Sequence, residues 1–221
     1  NGTADITQGP AMTRAECVRA IELGAELVRE CREDGASIIA TGEMGIGNTT
    51  TSSALTSVLL GKSPAEVTGR GAGLSDAGFA RKTAAIKRAI ERSCPDPSDP
   101  VDVISKVGGL DIAGLCGVFL GGALYRVPVV IDGFISGAAA LCAARLRPGA
   151  EFAMLPSHVS AEPAGGLMLE ALGLSPLISA GMRLGEGSGA AAVLPLLDMA
   201  LAVYHSGQTF GRLGIDAYVP Q

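Results

Sequence analysis

The chain has 221 residues, of which 48% are hydrophobic and only 18% charged; that length carries one α/β domain with a full core, and the balance excludes a disordered chain. The formal net charge is −5, with no basic run and no interleaving of basic and aromatic residues, which excludes nucleic acid as a partner, because that affinity rests on neutralised phosphates. The uncharged run at residues 112–125 is short for a bilayer, and no signal peptide is visible, so no membrane span is expected.

Thr13 and Glu16 fit a capping box, in which each side chain satisfies a free amide at a helix start. Val18, Ile21, Ala25 and Val28 follow at helical spacing, so one amphipathic helix is expected over residues 13–33, ending near Gly35. Residues 37–41 read as a short buried strand, 42–47 as a turn and 48–60 as a helix. A helical region follows, at 75–92, 101–107 and 111–125, with breaks at 95–100 and at Gly108-Gly109. The strand–turn–helix pattern then recurs: strand 127–131 with helix 135–145, strand 152–155 with helix 164–172, and a weaker strand 177–182 with the apolar helix 189–204, which contains Pro195. Strands alternating with helices imply an α/β fold with a mostly parallel sheet covered on both faces, in a single domain over residues 1–221.

In such a sheet ligands bind beyond the carboxyl ends of the strands. Those ends carry Glu43, Asp132, His158 with Ser160, and Glu186. Taken singly, each is explained equally well as a helix cap or a first-turn acid favoured by the helix dipole. Four of them at one edge point to a shared site. The segment Gly45-Ile-Gly47-Asn48-Thr49-Thr50 follows a strand and opens a helix, so its amides and hydroxyls suit a phosphate. It lacks the lysine of a P-loop and the glycine spacing of a dinucleotide fold. A second glycine-rich segment, residues 69–76 with Gly71 at its centre, leads into the helix that carries Lys82. That lysine reads as a solvated residue or as a phosphate ligand, the former being the ordinary case. Glu186 stands between glycines ahead of an apolar helix; apolar surroundings would suit a general base near neutral pH, and a capping role is the alternative. His158 reads as a hydrogen-bonded structural residue rather than a catalyst, and His205 has no assigned role.

The cysteines Cys17, Cys31, Cys94, Cys116 and Cys142 are odd in number and never spaced C-x-x-C. With two histidines they support no metal site, and most read as buried thiols of a reducing, cytoplasmic compartment.

GEMGIGNTT at residues 42–50 and RLGEGSGA at 183–190 resemble the nicotinate-nucleotide:dimethylbenzimidazole phosphoribosyltransferase family, as do ITQGPAM at 6–12, GRGAGL at 69–74, VVIDGFI at 129–135 and SHVSAE at 157–162. The similarity runs in order along nearly the whole chain. It implies a Rossmann-like sheet with part of a small helical domain, a homodimer, and transfer of ribose 5-phosphate from nicotinate mononucleotide to a benzimidazole-type base without a metal or other cofactor. The same resemblance implies that Glu186 is the general base, that Glu43 is a second acid near the ribose or the base, and that Gly45, Gly47, Asn48 and Thr49 form part of the mononucleotide pocket. Gly71 belongs to the second glycine-rich block, Lys82 reaches the phosphate, and Asp132 and Ser160 belong to the ligand pocket. Members of that family carry a further segment before the block at Ile6, which supplies part of the benzimidazole wall; the chain begins at Asn1 rather than methionine, and that segment is expected to be missing from it. A sibling transferase with another acceptor base and a non-catalytic nucleotide-binding subunit are the alternatives.

Overall fold

The computed structural model describes residues 2–71, 73–216 and 219. The elements follow in the order α1 (Arg14–Glu33), β1 (Ile39–Ala40), α2 (Asn48–Leu60), α3 (Pro64–Val67), α4 (Asp76–Ser93), α5 (Pro100–Val107), α6 (Leu110–Tyr125), β2 (Val129–Ile131), α7 (Phe134–Leu146), a 3-10 turn (Ala150–Ala153), β3 (Met154–Pro156), α8 (Gly165–Leu172), α9 (Ser188–His205) and α10 (Phe210–Leu213). The chain is α/β, and the described strands pair parallel in the order β1-β2-β3.

Local chemistry sets the boundaries. The Thr13–Glu16 capping box opens α1 as its sequence requires, with Glu16 N donating to Thr13 Oγ1 at 3.2 Å and Thr13 N donating to the Glu16 carboxylate at 2.8 Å. Ser75 caps α4 through the amide of Gly78, and Asp99 caps α5, where Pro100 fills the first turn at no hydrogen-bond cost.

The sheet is smaller than the sequence pattern suggests, and two expected strands differ. Phe152 is exposed in the 3-10 turn, because the Gly149 amide folds back onto the Glu151 carboxylate; β3 begins only at Met154. Residues 177–182 form no strand. They run beside the segment after β3 through a single bridge, His158 with Ile178, and through Ala161 N–H to the Met182 carbonyl, but Pro176 just before the segment and the left-handed Gly181 within it keep it from forming a regular ladder.

Both faces of the sheet are covered, and the alternation within β2 shows how. Val129 and Ile131 join the large core with α1, α2, α6 and α7, whereas Val130 points the other way and packs against Ala190 and Val193 of α9. Cys17, Cys116 and Cys142 lie in the large core, and burial pushes the Cys17 thiol up to about 11; Cys31 is half-buried and Cys94 is exposed. By length and composition alone α9 is apolar enough to cross a bilayer, a property the uncharged run at 112–125 does not share. In the fold it contributes one edge to the sheet's cover and leaves Leu194, Leu196, Met199, Leu201, Val203 and Tyr204 exposed.

Candidate active site

Each strand end delivers one turn to the same edge. Glu43 follows β1, Asp132 follows β2, His158 and Ser160 follow β3, and Glu186 precedes α9. The turns at Glu43 and Glu186 are joined directly, since the Glu186 amide donates to the Glu43 carbonyl at 2.8 Å. Gly42 makes that approach possible. A Cβ there would lie 2.5 Å from the Gly187 nitrogen, a clash no side chain could avoid.

The Glu186 turn is wound against its preference. Gly185, Glu186 and Gly187 have φ of 77°, 58° and 78°. Glycine adopts this left-handed region freely, but for a glutamate it costs about 1–2 kcal/mol. Asp132 holds the turn in place. Its side chain is 2% exposed, and its oxygens accept from Gly187 N at 3.1 Å, Gly189 N at 2.7 Å and Ala190 N at 3.1 Å. The carboxylate therefore caps α9 from another strand end, satisfying amides that the N-cap Gly187 cannot serve with a side chain.

His158 is packed behind this anchor. Ser157 Oγ donates to the Asp132 carbonyl at 2.9 Å and lies 3.0 Å from His158 Nδ1. With the serine proton committed to the carbonyl, Nδ1 carries the histidine proton and donates to the serine oxygen. Burial holds the imidazole below its usual pKa, against the opposing pull of the Asp132 charge, so the ring is neutral at neutral pH. His158 is buried and hydrogen-bonded, as expected, and its ring also lines the cleft.

Two cavities share a wall made of Gly45, Thr49 and Gly71. The smaller, about 100 Å³, is bounded by Glu43, Asp132, Phe134, His158, Ser160 and Arg183, among others. The larger, about 380 Å³, is bounded by Gly47, Arg70 and Lys82. Ala72, within the second glycine-rich segment, lies outside the described residues. Lys82 is not a solvated lysine: it is 8% exposed, and its ammonium donates to Thr49 Oγ1 and to the Gly69 carbonyl, each at 3.0 Å. Burial lowers its pKa, and the charge of Glu162 acts the other way. Neither acceptor is anionic, so the lysine makes no ion pair among the described residues and stands beside two glycine-rich turns.

At the other end, one oxygen of Glu43 accepts from Met44 N at 2.9 Å and from Asn48 Nδ2 at 2.6 Å, while its second oxygen has no partner among the described residues. Asn48 also donates to Asp111 at 2.8 Å, so it supports Glu43 from beneath rather than lining the cleft. The Glu186 carboxylate is exposed and makes no hydrogen bond among the described residues. The apolar surroundings expected for it are therefore not supplied by them, because α9 turns its buried face toward the sheet and away from this turn. Ser160 Oγ accepts from the Glu162 amide at 3.3 Å at the cavity edge. Glu162, Arg183 and Asp111 were not singled out by sequence. Arg183 and Glu162 lie within conspicuous blocks, but Asp111 offers only an acid after two glycines.

By fold and cleft, the chain is an α/β protein of the open parallel-sheet class with its candidate site at the strand ends. Residues 1–215 match the sequence model of a family described as Phosphoribosyltransferase, and the chain belongs to that family. It is 52% identical over 219 residues to the nicotinate-nucleotide–dimethylbenzimidazole phosphoribosyltransferase of Ruminiclostridium cellulolyticum, a match covering 99% of this chain and 62% of that protein. It is 50% identical to the protein of the same name from Acetivibrio thermocellus, covering 100% of this chain and 63% of the relative. The crystal structure of CobT from Thermus thermophilus superposes with a TM-score of 0.91 at 42% identity, covering 98% of this chain and 64% of that one. The chain thus spans less than two thirds of the length of these relatives.

Proposed function

We propose that the protein transfers the 5-phosphoribosyl group of nicotinate mononucleotide to 5,6-dimethylbenzimidazole, releasing nicotinate and forming α-ribazole 5′-phosphate for the nucleotide loop of cobalamin. One observation carries this reading most: the buried Lys82 stands beside two glycine-rich turns that offer a place for a phosphate, and the Glu43 carboxylate lines the adjoining cavity, with the Glu186 turn joined to its backbone. The printed names of the relatives agree with it.

In the proposed reaction the phosphate lies against the amides of Gly45, Gly47 and Gly71, beside Lys82 and Thr49. This places C1′ of the ribose toward Glu43. The bond from C1′ to the nicotinate nitrogen breaks as the lone pair of the benzimidazole attacks from the opposite face, inverting the anomeric centre. Nicotinate departs readily because the pyridinium ring takes the bonding pair and becomes neutral. Positive charge builds on the ribose in between, and the free oxygen of Glu43 stabilises it. The attacking ring would be left cationic, so Glu186 removes the proton of its second nitrogen. Phe134, Ile135 and Leu184 supply apolar wall for a flat base. Asp132 serves the pocket by fixing the Glu186 turn, and Ser160 closes its edge.

We further propose that the protein is a cytoplasmic homodimer without a membrane span. A helix apolar around most of its circumference, as α9 is, belongs under a cover, and free buried thiols fit a reducing compartment. Incubation with nicotinate mononucleotide and 5,6-dimethylbenzimidazole, followed by mass spectrometry, tests the reading: equimolar nicotinate and ribazole phosphate are expected. Binding without turnover, or transfer only to another base, would replace it with one of the alternatives.

A further inference from the structure

The starts of α2 and α6 meet beneath the Glu43 turn, and the contact between them is unusual. Asn48, the first residue of α2, donates both protons of one side-chain amide to carboxylates: to Glu43 at 2.6 Å and to Asp111, in the first turn of α6, at 2.8 Å. The amide orientation follows from this pair, because the opposite flip would set its oxygen against two acids. The cost is visible on the other side, where Asn48 Oδ1 is buried with no partner among the described residues. A buried acceptor without a partner calls for an explanation, and the two carboxylates held by the same amide supply one here.

Asp111 is itself confined. Its Oδ1 comes so close to Gly109 that a Cβ there would lie 2.3 Å away. Gly109 has extended backbone, φ −152° and ψ 162°, which any residue adopts, so a side chain there would act only by pushing the Asp111 carboxylate aside. The amino end of α6 favours a negative charge at Asp111. Two carboxylates are thereby drawn onto one amide despite their repulsion. In the result, one oxygen of Glu43 is pinned and the other is left free toward the cleft.

We infer that Asp111 is a positioning residue for Glu43, acting through Asn48. The inference rests on the transferase reading, in which the free Glu43 oxygen faces the charge developing on the ribose. Asp111 lines neither cavity. It fixes the Asn48 amide, and the amide fixes the acid. A misplacement of a reacting group by about 1 Å can cost roughly a hundredfold in rate, so loss of Asp111 should appear in kcat rather than in nucleotide binding.

The test is a double-mutant cycle in the full chain, read as steady-state transfer to 5,6-dimethylbenzimidazole. D111A should lower kcat by about 10- to 100-fold with KM for the mononucleotide little changed. In an E43Q background, where the positioned charge is gone, D111A should cost less than about twofold more. D111N keeps an oxygen for Asn48 and should restore most of the wild-type kcat. G109A keeps the Asp111 carboxylate but displaces it, so it should reproduce the D111A loss and be silent in E43Q; these two variants carry the test where D111A folds poorly. Equal losses from D111A or G109A in both backgrounds, or a rise in KM alone, would overturn the inference and leave Asp111 as a helix-start residue. If instead E43Q itself leaves kcat unchanged, the role assigned to Glu43 in the transferase reading has failed, independently of Asp111.

Discussion

Replacing Asp132 by asparagine isolates what holds the Glu186 turn. The native carboxylate is buried and accepts from three amides, two on Oδ1 and one on Oδ2. Asparagine can keep the oxygen that faces Gly189 and Ala190, but it sets an NH2 against the Gly187 amide. One charge-assisted bond is lost and two donors confront each other, at about 1.5–3 kcal/mol for a hydrogen bond to a charged group. The turn it releases stores a further strain of about 1–2 kcal/mol at Glu186, φ 58°, so the turn gains by relaxing. For a chain of this size, each kcal/mol moves Tm by about 2–4 °C. D132N should therefore melt roughly 3–12 °C lower and, in the same preparation, lose kcat as Glu186 moves. D132A, which strands all three amides, should lose more. Thermal melts followed by circular dichroism, paired with turnover, measure both effects. An unchanged Tm with weakened mononucleotide affinity would refute the anchor and make Asp132 a direct ligand contact.

Two further outcomes follow from the charged groups nearby. Lys82→Ala should weaken mononucleotide binding in calorimetry far more than benzimidazole binding, and wild-type affinity should fall with rising pH earlier than an ordinary lysine would dictate, since burial lowers the Lys82 pKa; equal loss for both ligands would remove Lys82 from the phosphate site. His158 has a folded pKa below its unfolded value, so the unfolded chain takes up the proton first as pH falls below about 6.5, and stability should decline from there through the folded pKa. H158N, whose amide can stand in for Nδ1–H, should flatten that decline in melts between acid and neutral pH; an unchanged slope would assign it to other groups.

Much of the framework was legible locally. The Thr13–Glu16 box, the start of α2 at Asn48 and the strand at β2 all depend on neighbours within a few residues. The convergence of Glu43, Asp132, Ser160 and the Glu186 turn followed from a topological rule and needed no contact to be known. What stayed hidden depends on partners distant in the chain. Lys82 looks like any helix-surface lysine until Gly69 and Thr49 close over it. The work of Asp132 lies in amides 55–58 residues further on. Asp111 gains its meaning only through Asn48, 63 positions earlier. Residues 177–182 had the apolar content of a strand, but parallel pairing beyond one bridge fails between Pro176 and Gly181. The setting of Glu186 misled for a related reason: an apolar helix in sequence says nothing of which side its first turn exposes.

If Glu186 removes the proton from the attacking base, Glu186→Gln should expose that role. Glutamine keeps the size of the side chain and the turn, and it can still accept a hydrogen bond from the base, but it cannot take the proton. In E186Q, kcat for ribazole phosphate formation should fall by about 10²–10⁴-fold, with both substrates bound as before and Tm unchanged. Near-normal turnover by E186Q, with or without a lowered Tm, would contradict it and leave the proton to another group in the cleft.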